Sequence, residues 1–409
     1  MIMCAAHRLW HRWVRRGGKT ILALLLSGVV VMTAYLAFVA VRRVQPLTLP
    51  IPTGPYQVGR VAFDWTDHSR IDPLAGQRGT PRKLSVWLWY PAASHVTGQP
   101  APYVPGAWGK LHMKTPWPGV FEGSFDAIRG HSLAGVPVAD GQFPIVVLEP
   151  GMGFAAPYYN TFTENLASHG YLVAGVTPTY SANVTVLDEH VVSSTKAGNP
   201  DDFDAAEGNR LVDVWAADAR FVADKVAALD RSGKFAGRIN SLRTAYIGHS
   251  FGGATALEAC RTDSRCAGAV DMDGTQFGTV VRTGLNAPLM ILGAQNSCVT
   301  GTCRPADAAD YATLDAAQSL LAASVGPTWC YAIDGTKHFN FSDHAAFYLA
   351  APMRSLLPLG HIDGARGLVI QNAYLVAFLD HTVRATPQPL LTGQSRAYPE
   401  VRVQRMPRT

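Results

Sequence analysis

Charge is scarce in this chain, and its distribution is uneven. Only 16% of the 409 residues are Asp, Glu, Lys or Arg. The first 43 residues contain no acid at all, yet they hold Arg8, Arg12, Arg15, Arg16, Lys19, Arg42 and Arg43. Setting those seven aside leaves 28 basic against 30 acidic residues, so the formal charge of +5 belongs to the N-terminus and not to the body. The body lacks the basic balance that draws nucleic acid, and no nucleic-acid partner is expected. Internal repeats are absent, which excludes solenoids and propellers. No stretch is polar enough to read as disordered. Cysteine is sparse, six in all, and neither spacing nor accompanying histidines form a zinc signature. No metal and no cofactor is expected.

What the N-terminus does have is a long apolar run. Thr20 to Val41 is 22 residues without a charge, rich in Leu, Val and Ala. That length crosses a hydrocarbon core as a helix. Five Lys/Arg precede it and two follow closely, which predicts a cytoplasmic N-terminus and an extracytoplasmic body. The alternative is a signal peptide cut after Ala40. That cut places Phe38 where a small residue belongs, so an uncleaved anchor in the inner membrane is the preferred reading, with secretion after cleavage as the other. The expected divisions are a basic cytoplasmic segment 1–19, a transmembrane segment 20–41, a tether 42–55 and a catalytic body 56–409. With Cys4 inside, Cys260/Cys266 and Cys298/Cys303 are short-loop disulfide candidates in an oxidising compartment, or else buried thiols. Cys330 is left over.

Within the body, Val58–Trp65 and Leu84–Tyr90 read as strands, followed by a Gly/Pro-rich excursion to Gln142. Then short apolar strands alternate with helices. The strands are Ile145–Leu148, Leu172–Val176, Thr244–Ile247, Ala267–Met272, Leu289–Leu292 and Trp329–Ile333. Helices are expected from about Leu211, just after Ser250, over Ala308–Ala323 and over Ala365–His381. This alternation predicts a single α/β domain with a mostly parallel sheet covered on both faces.

The chemistry centres on Gly248-His249-Ser250-Phe251-Gly252-Gly253, which leaves one strand and opens a helix. A G-x-S-x-G between strand and helix is the nucleophile elbow of the α/β-hydrolase fold, with Ser250 as nucleophile. The helix N-terminus behind it favours developing negative charge. The Phe251 N–H is one natural oxyanion donor. The Met152 N–H, in Glu149-Pro150-Gly151-Met152-Gly153 after the strand at Ile145, is the second. Chain order in this fold is serine, acid, histidine. Of His338, His344, His361 and His381, only His338 sits in a loop directly after a strand of the series. The loop after Leu289–Leu292, where many members of the fold carry the acid, has none. The preceding strand ends in Asp271-Met272-Asp273, so Asp273 is the expected acid and Asp271 the alternative. Asp218, on the apolar face with Trp215 and Val222, reads as a structural ion-pair or capping partner. His249 reads as a packing residue beside the nucleophile.

These residues resemble a family. Phe143 to Val147 with Gly151-Met152-Gly153, Leu166-Ala167-Ser168-His169-Gly170-Tyr171-Leu172, Gly248 to Thr255 and Gly335-Thr336-Lys337-His338-Phe339-Asn340-Phe341 resemble the plasma-type platelet-activating-factor acetylhydrolases. The match runs from about Gly54 to Asp380. Ala397-Tyr398-Pro399-Glu400-Val401 looks like the bacterial, dienelactone-hydrolase-like members. The resemblance implies a calcium-independent serine esterase acting on phospholipids with short or oxidised acyl groups. It maps the acid to Asp273 and the oxyanion donors to Met152 and Phe251. Two departures touch the substrate pocket: Pro150 stands where the family often has His, and Gly274-Thr275-Gln276-Phe277-Gly278 replaces an aromatic-rich stretch. A polyesterase or dienelactone-type hydrolase is the alternative reading.

Overall fold

The computed structural model describes residues 2–114, 121–201 and 203–407. Residues 115–120 of the Gly/Pro-rich excursion, and residues 202, 408 and 409 of the expected body, lie outside the described residues. Helix α1 spans Ile2–Arg42, so the basic segment and the apolar run form one continuous helix. Its stretch Lys19–Arg42 is long and apolar enough to cross a membrane. Ile21, Leu24, Val31 and Val41 all stand exposed on it.

Ten strands form the central sheet among the described residues. They are β1 (Val58–Ile71), β2 (Pro81–Pro91), β3 (Ser132–Ala134), β4 (Phe143–Glu149) and β5 (Leu172–Thr177). Then come β6 (Ile239–His249), β7 (Cys266–Met272), β8 (Leu289–Ala294), β9 (Thr328–Ile333) and β10 (Val401–Arg405). Their order across the sheet is β10-β9-β8-β7-β6-β4-β5-β2-β1-β3. The run from β5 to β9 is parallel throughout. β2 joins β5 and β1 antiparallel, and β10 joins β9 antiparallel.

Alternation along the strands builds the core in two layers. Val146 and Leu148 of β4 and Ile247 of β6 point to one face, with Met290 of β8. Ile145, Val147, Tyr246 and Ile291 point to the other. Helices α2 (Asn160–Ser168) and α6 (Gly364–Thr382) cover the first face. The second lies under α3 (Ala205–Ala228), α4 (Phe251–Thr262) and α5 (Ala308–Ala323). The expected α/β-hydrolase architecture is therefore present.

Several details differ from the expectation. Helix α3 starts at Ala205, six residues before Leu211, because Asp204 caps it by accepting the Glu207 N–H at 2.8 Å. Its small and polar first turn carries no apolar period. The excursion before Gln142 contributes β3, a sheet edge, and a 3-10 helix over Gly106–Lys114. A hairpin of Val184–Leu187 and His190–Ser193 was not foreseen either.

The tether is not free. Leu47–Thr48 pairs in parallel with Ile128–Arg129, and Leu49 is 1% exposed. The Leu49 N–H donates to Arg129 O at 3.0 Å, and the Thr53 N–H to Asn165 Oδ1 at 3.0 Å. At the end of α1, Val39 is buried and the Arg42 guanidinium lies 5.3 Å from the centre of the Tyr348 ring.

Candidate active site

Strand β6 delivers Ser250 from the middle of the sheet. Its neighbours β4 and β7 run to the same level, with Gly248 opposite both Glu149 and Asp271. The chain then reverses sharply. Ser250 has φ 56° and ψ −127°, a conformation L-residues avoid, and α4 begins at the next residue. Glycine is required around it by contact. A Cβ on Gly248 would lie 2.0 Å from Gly252 O, and one on Gly252 would lie 2.3 Å from Glu149 O. The Ser250 N–H is held by Met272 O at 2.9 Å.

The structure brings Ser250, His338 and Asp273 together. His338 Nε2 is 2.9 Å from Ser250 Oγ, and His338 Nδ1 is 2.8 Å from Asp273 Oδ2. The other carboxylate oxygen, Oδ1, accepts the Ala294 N–H at 2.8 Å. Asp273 stands just past the end of β7, with φ 56°, and is 6% exposed. That turn ends the strand alternation, so Asp271 and Asp273 do not behave as two positions on one face. Asp271 is fully buried. Its Oδ1 accepts the Gly274 N–H at 2.9 Å and its Oδ2 accepts from Gln276 Nε2 at 2.8 Å. Burial pushes its carboxyl up to about 8, against those two hydrogen bonds. His344 packs against the rings of Phe154 and Tyr158, and His381 against Trp329.

Met152 and Phe251 both line the cleft at Ser250. Phe251 is the first residue of α4, whose leading N–H groups have no partner inside the helix. The loop carrying Met152 is fixed from behind: the Gly151 N–H donates to Tyr159 Oη at 2.8 Å.

The cleft has a volume of about 480 Å³. Pro200, Phe203 and Phe251 line it with apolar groups, and Thr275, Ser297, Asp310 and Thr313 with polar ones. Phe203 packs edge-on against Phe251 and Phe277, with ring centres 5.4 Å apart in each pair. No local pattern in the sequence points to Phe203, Asp310 or Thr313. They come from two separate segments, the loop before α3 and the first turns of α5, that meet only in the folded chain. Both candidate disulfides are formed, Cys260–Cys266 and Cys298–Cys303, and Cys298 lines the cleft. Cys330 is free and buried. Asp218 is a structural ion-pair partner, as expected, 2.6 Å from Arg82 and 2.8 Å from Arg70.

An α/β-hydrolase sheet with a strained serine at this turn defines a class: the chain is a serine ester hydrolase. Known proteins agree with that class. The sequence model of the family "Platelet-activating factor acetylhydrolase, isoform II" matches residues 227–386. A probable 1-alkyl-2-acetylglycerophosphocholine esterase of Arthroderma benhamiae is 25% identical over 382 residues, covering 86% of this chain and 92% of that one. The platelet-activating factor acetylhydrolase of Canis lupus familiaris is 23% identical over 292 residues, 63% of each chain. Among solved structures, a ferulic acid esterase from Streptomyces cinnamoneus superposes with a TM-score of 0.74 at 28% identity, covering 88% of this chain and 99% of that one. The resemblance to the acetylhydrolases read in the sequence is borne out.

Proposed function

We propose that the chain cleaves carboxylic esters through a Ser250–His338–Asp273 triad and an acyl-enzyme on Ser250. The observation that carries this reading is the unbroken hydrogen-bond series from Asp273 through His338 to Ser250 at the floor of an open cleft. His338 Nε2 takes the Ser250 proton as Oγ attacks the ester carbonyl, and later gives it to the departing alkoxide. Asp273 holds the Nδ1–H tautomer and balances the imidazolium. The N–H groups of Met152 and Phe251 receive the oxyanion. Water then attacks the acyl-enzyme with His338 again as base.

Short-acyl or oxidised phospholipid-type esters are the substrates we assign, on the names of the two curated relatives and on the apolar helix α1. With α1 as an anchor and its basic end cytoplasmic, the catalytic body is held near a bilayer where such lipids partition. Aromatic-acid esters are a second reading. Phe203 and Phe251, which line the cleft and pack on Phe277, favour it, as does the likeness to the ferulic acid esterase.

The test has two stages. A fluorophosphonate should add once to the wild type and not to Ser250→Ala, and persistent labelling of that variant would refute the nucleophile. On nitrophenyl esters, kcat/KM should peak at acetyl to butyryl, fall by octanoyl and survive chelator. A profile rising through dodecanoyl would indicate a lipase instead. Methyl ferulate turned over faster than the short esters would favour the aromatic reading.

A further inference from the structure

His249 is buried directly beneath the reacting groups, 1% exposed, with its ring centre 4.7 Å from that of His338. Both of its nitrogens are engaged. Nε2 is 3.0 Å from the His338 carbonyl oxygen, and Nδ1 is 2.8 Å from Tyr159 Oη. Tyr159 Oη also accepts the Gly151 N–H. A carbonyl can only accept, so His249 Nε2 carries the proton. A neutral ring then offers Nδ1 as acceptor, and Tyr159 donates its O–H there. One proton order satisfies the whole series: Gly151 N–H to Tyr159, Tyr159 O–H to His249, His249 N–H to the His338 carbonyl.

We propose that Tyr159 and His249 are positioning residues that lock the oxyanion loop and the base loop to each other across the floor of the active site. This rests on the triad reading above. At one end the series fixes the peptide immediately before the one that carries the Met152 N–H. At the other it fixes the backbone from which the His338 imidazole projects. The two loops lie far apart in the chain, and this contact makes the oxyanion donor and the base keep one geometry. Burial and the neighbouring His338 hold His249 well below the usual histidine range, which keeps the ring neutral and the proton order intact. Gly151 has no slack: a Cβ there would sit 3.2 Å from both His249 Nδ1 and Ser250 Cβ.

The test is kcat expressed per serine titrated by a fluorophosphonate, which removes any loss that comes from misfolded molecules. Tyr159→Phe keeps the ring and deletes the link. It should lower kcat per titrated site roughly tenfold or more, since small misplacements of reacting groups are costly, and leave KM within a factor of about two. His249→Phe should lose more. His249→Gln, which retains a donor for the His338 carbonyl, should recover part of the loss. If all three variants keep kcat per titrated site within about twofold of wild type while only their melting temperatures fall, the pair is structural and the proposal is overturned. Labelling that persists in Ser250→Ala would instead remove the triad reading, which separates the two failures.

Discussion

Two residues with the same unusual backbone angle, Ser250 and Asp273, each at φ 56°, bracket the imidazole of His338. Such conformations cost about 1–3 kcal/mol apiece and persist where the surroundings force them. Here the forcing groups are identifiable: Met272 O on the Ser250 N–H, and Leu292 O on the Asp273 N–H at 2.8 Å. Asp273 and Asp271 therefore separate by experiment. Asp273→Asn should lower kcat roughly 1,000-fold or more with the fold intact, because His338 loses the partner that sets its tautomer. Asp271→Asn should keep kcat within a few-fold, and a reversed pair of results would move the acid by two residues. Asp271 has a pH signature of its own. Its carboxyl rises from 3.8 to about 8 in the folded chain, chiefly through burial. Between those values the folded state binds more protons than the unfolded one. Its contribution to stability is thus fully present below about pH 4 and is lost as pH rises towards 8. Denaturant melts should show Asp271→Asn gaining on the wild type between pH 5 and pH 8. A difference independent of pH would show that the carboxyl is ionised throughout.

At the scale of elements, what the sequence made legible follows from how local each signal is. The strands β4 to β9 contain apolar runs of four or more residues, and α5 and α6 are long and apolar-rich, so their positions could be read within about two residues, except that β6 begins at Ile239, five residues before the expected Thr244. The elbow was readable because its whole pattern of glycine, serine and glycine between a strand and a helix lies inside six residues, although the contact that demands Gly252 comes from Glu149 O on β4. The edge strand β10 was not, since Val401–Arg405 is short, half polar and strand-like only beside β9. Tyr159 and Phe203 were invisible for the same reason: their roles are set by partners far away in the chain. The disulfides sit between these cases, because spacing allowed them without requiring them. Cys260–Cys266 ties the end of α4 to the start of β7, away from the cleft. Cys298–Cys303 clips the loop after β8 that supplies Ser297, Cys298 and Val299 to the cleft wall. Loop-closure entropy gives each about 2 kcal/mol of stability. Replacing Cys298 and Cys303 by Ser should therefore raise KM as well as lower the melting temperature. The Cys260/Cys266 double variant should lower the melting temperature with KM unchanged. Equal KM values in the two variants would show that the clip does not shape the site.

For the whole molecule, the question is how the N-terminal helix and the body stand to each other. A helix with Ile21, Leu24, Leu25, Val30 and Val31 each more than 60% exposed is not stable as a free surface in water. Its 22 uncharged residues span about 33 Å, enough for a bilayer core of about 30 Å. Cleavage after Ala40 would remove this problem, but the chain opposes it twice. Phe38 occupies a position that wants a small side chain, and Val39 is buried against the body within the last turns of α1. The strand pair at Leu47 and the buried Leu49 then continue the attachment. An anchored chain would thus hold its catalytic body against the membrane by a short strap instead of letting it swing on a flexible tether. The full-length protein should stay with membranes through a high-salt wash and keep Met1-proximal sequence. A reporter that works only outside the cytoplasm, fused after Thr409, should be active. A chain begun at Pro46 should be released to the soluble fraction with its activity on water-soluble short esters within about twofold of the parent, because the strand pair and Leu49 remain. If the mature protein instead starts near Arg42 and is recovered without membranes, α1 is a cleaved signal and the strap serves only the fold.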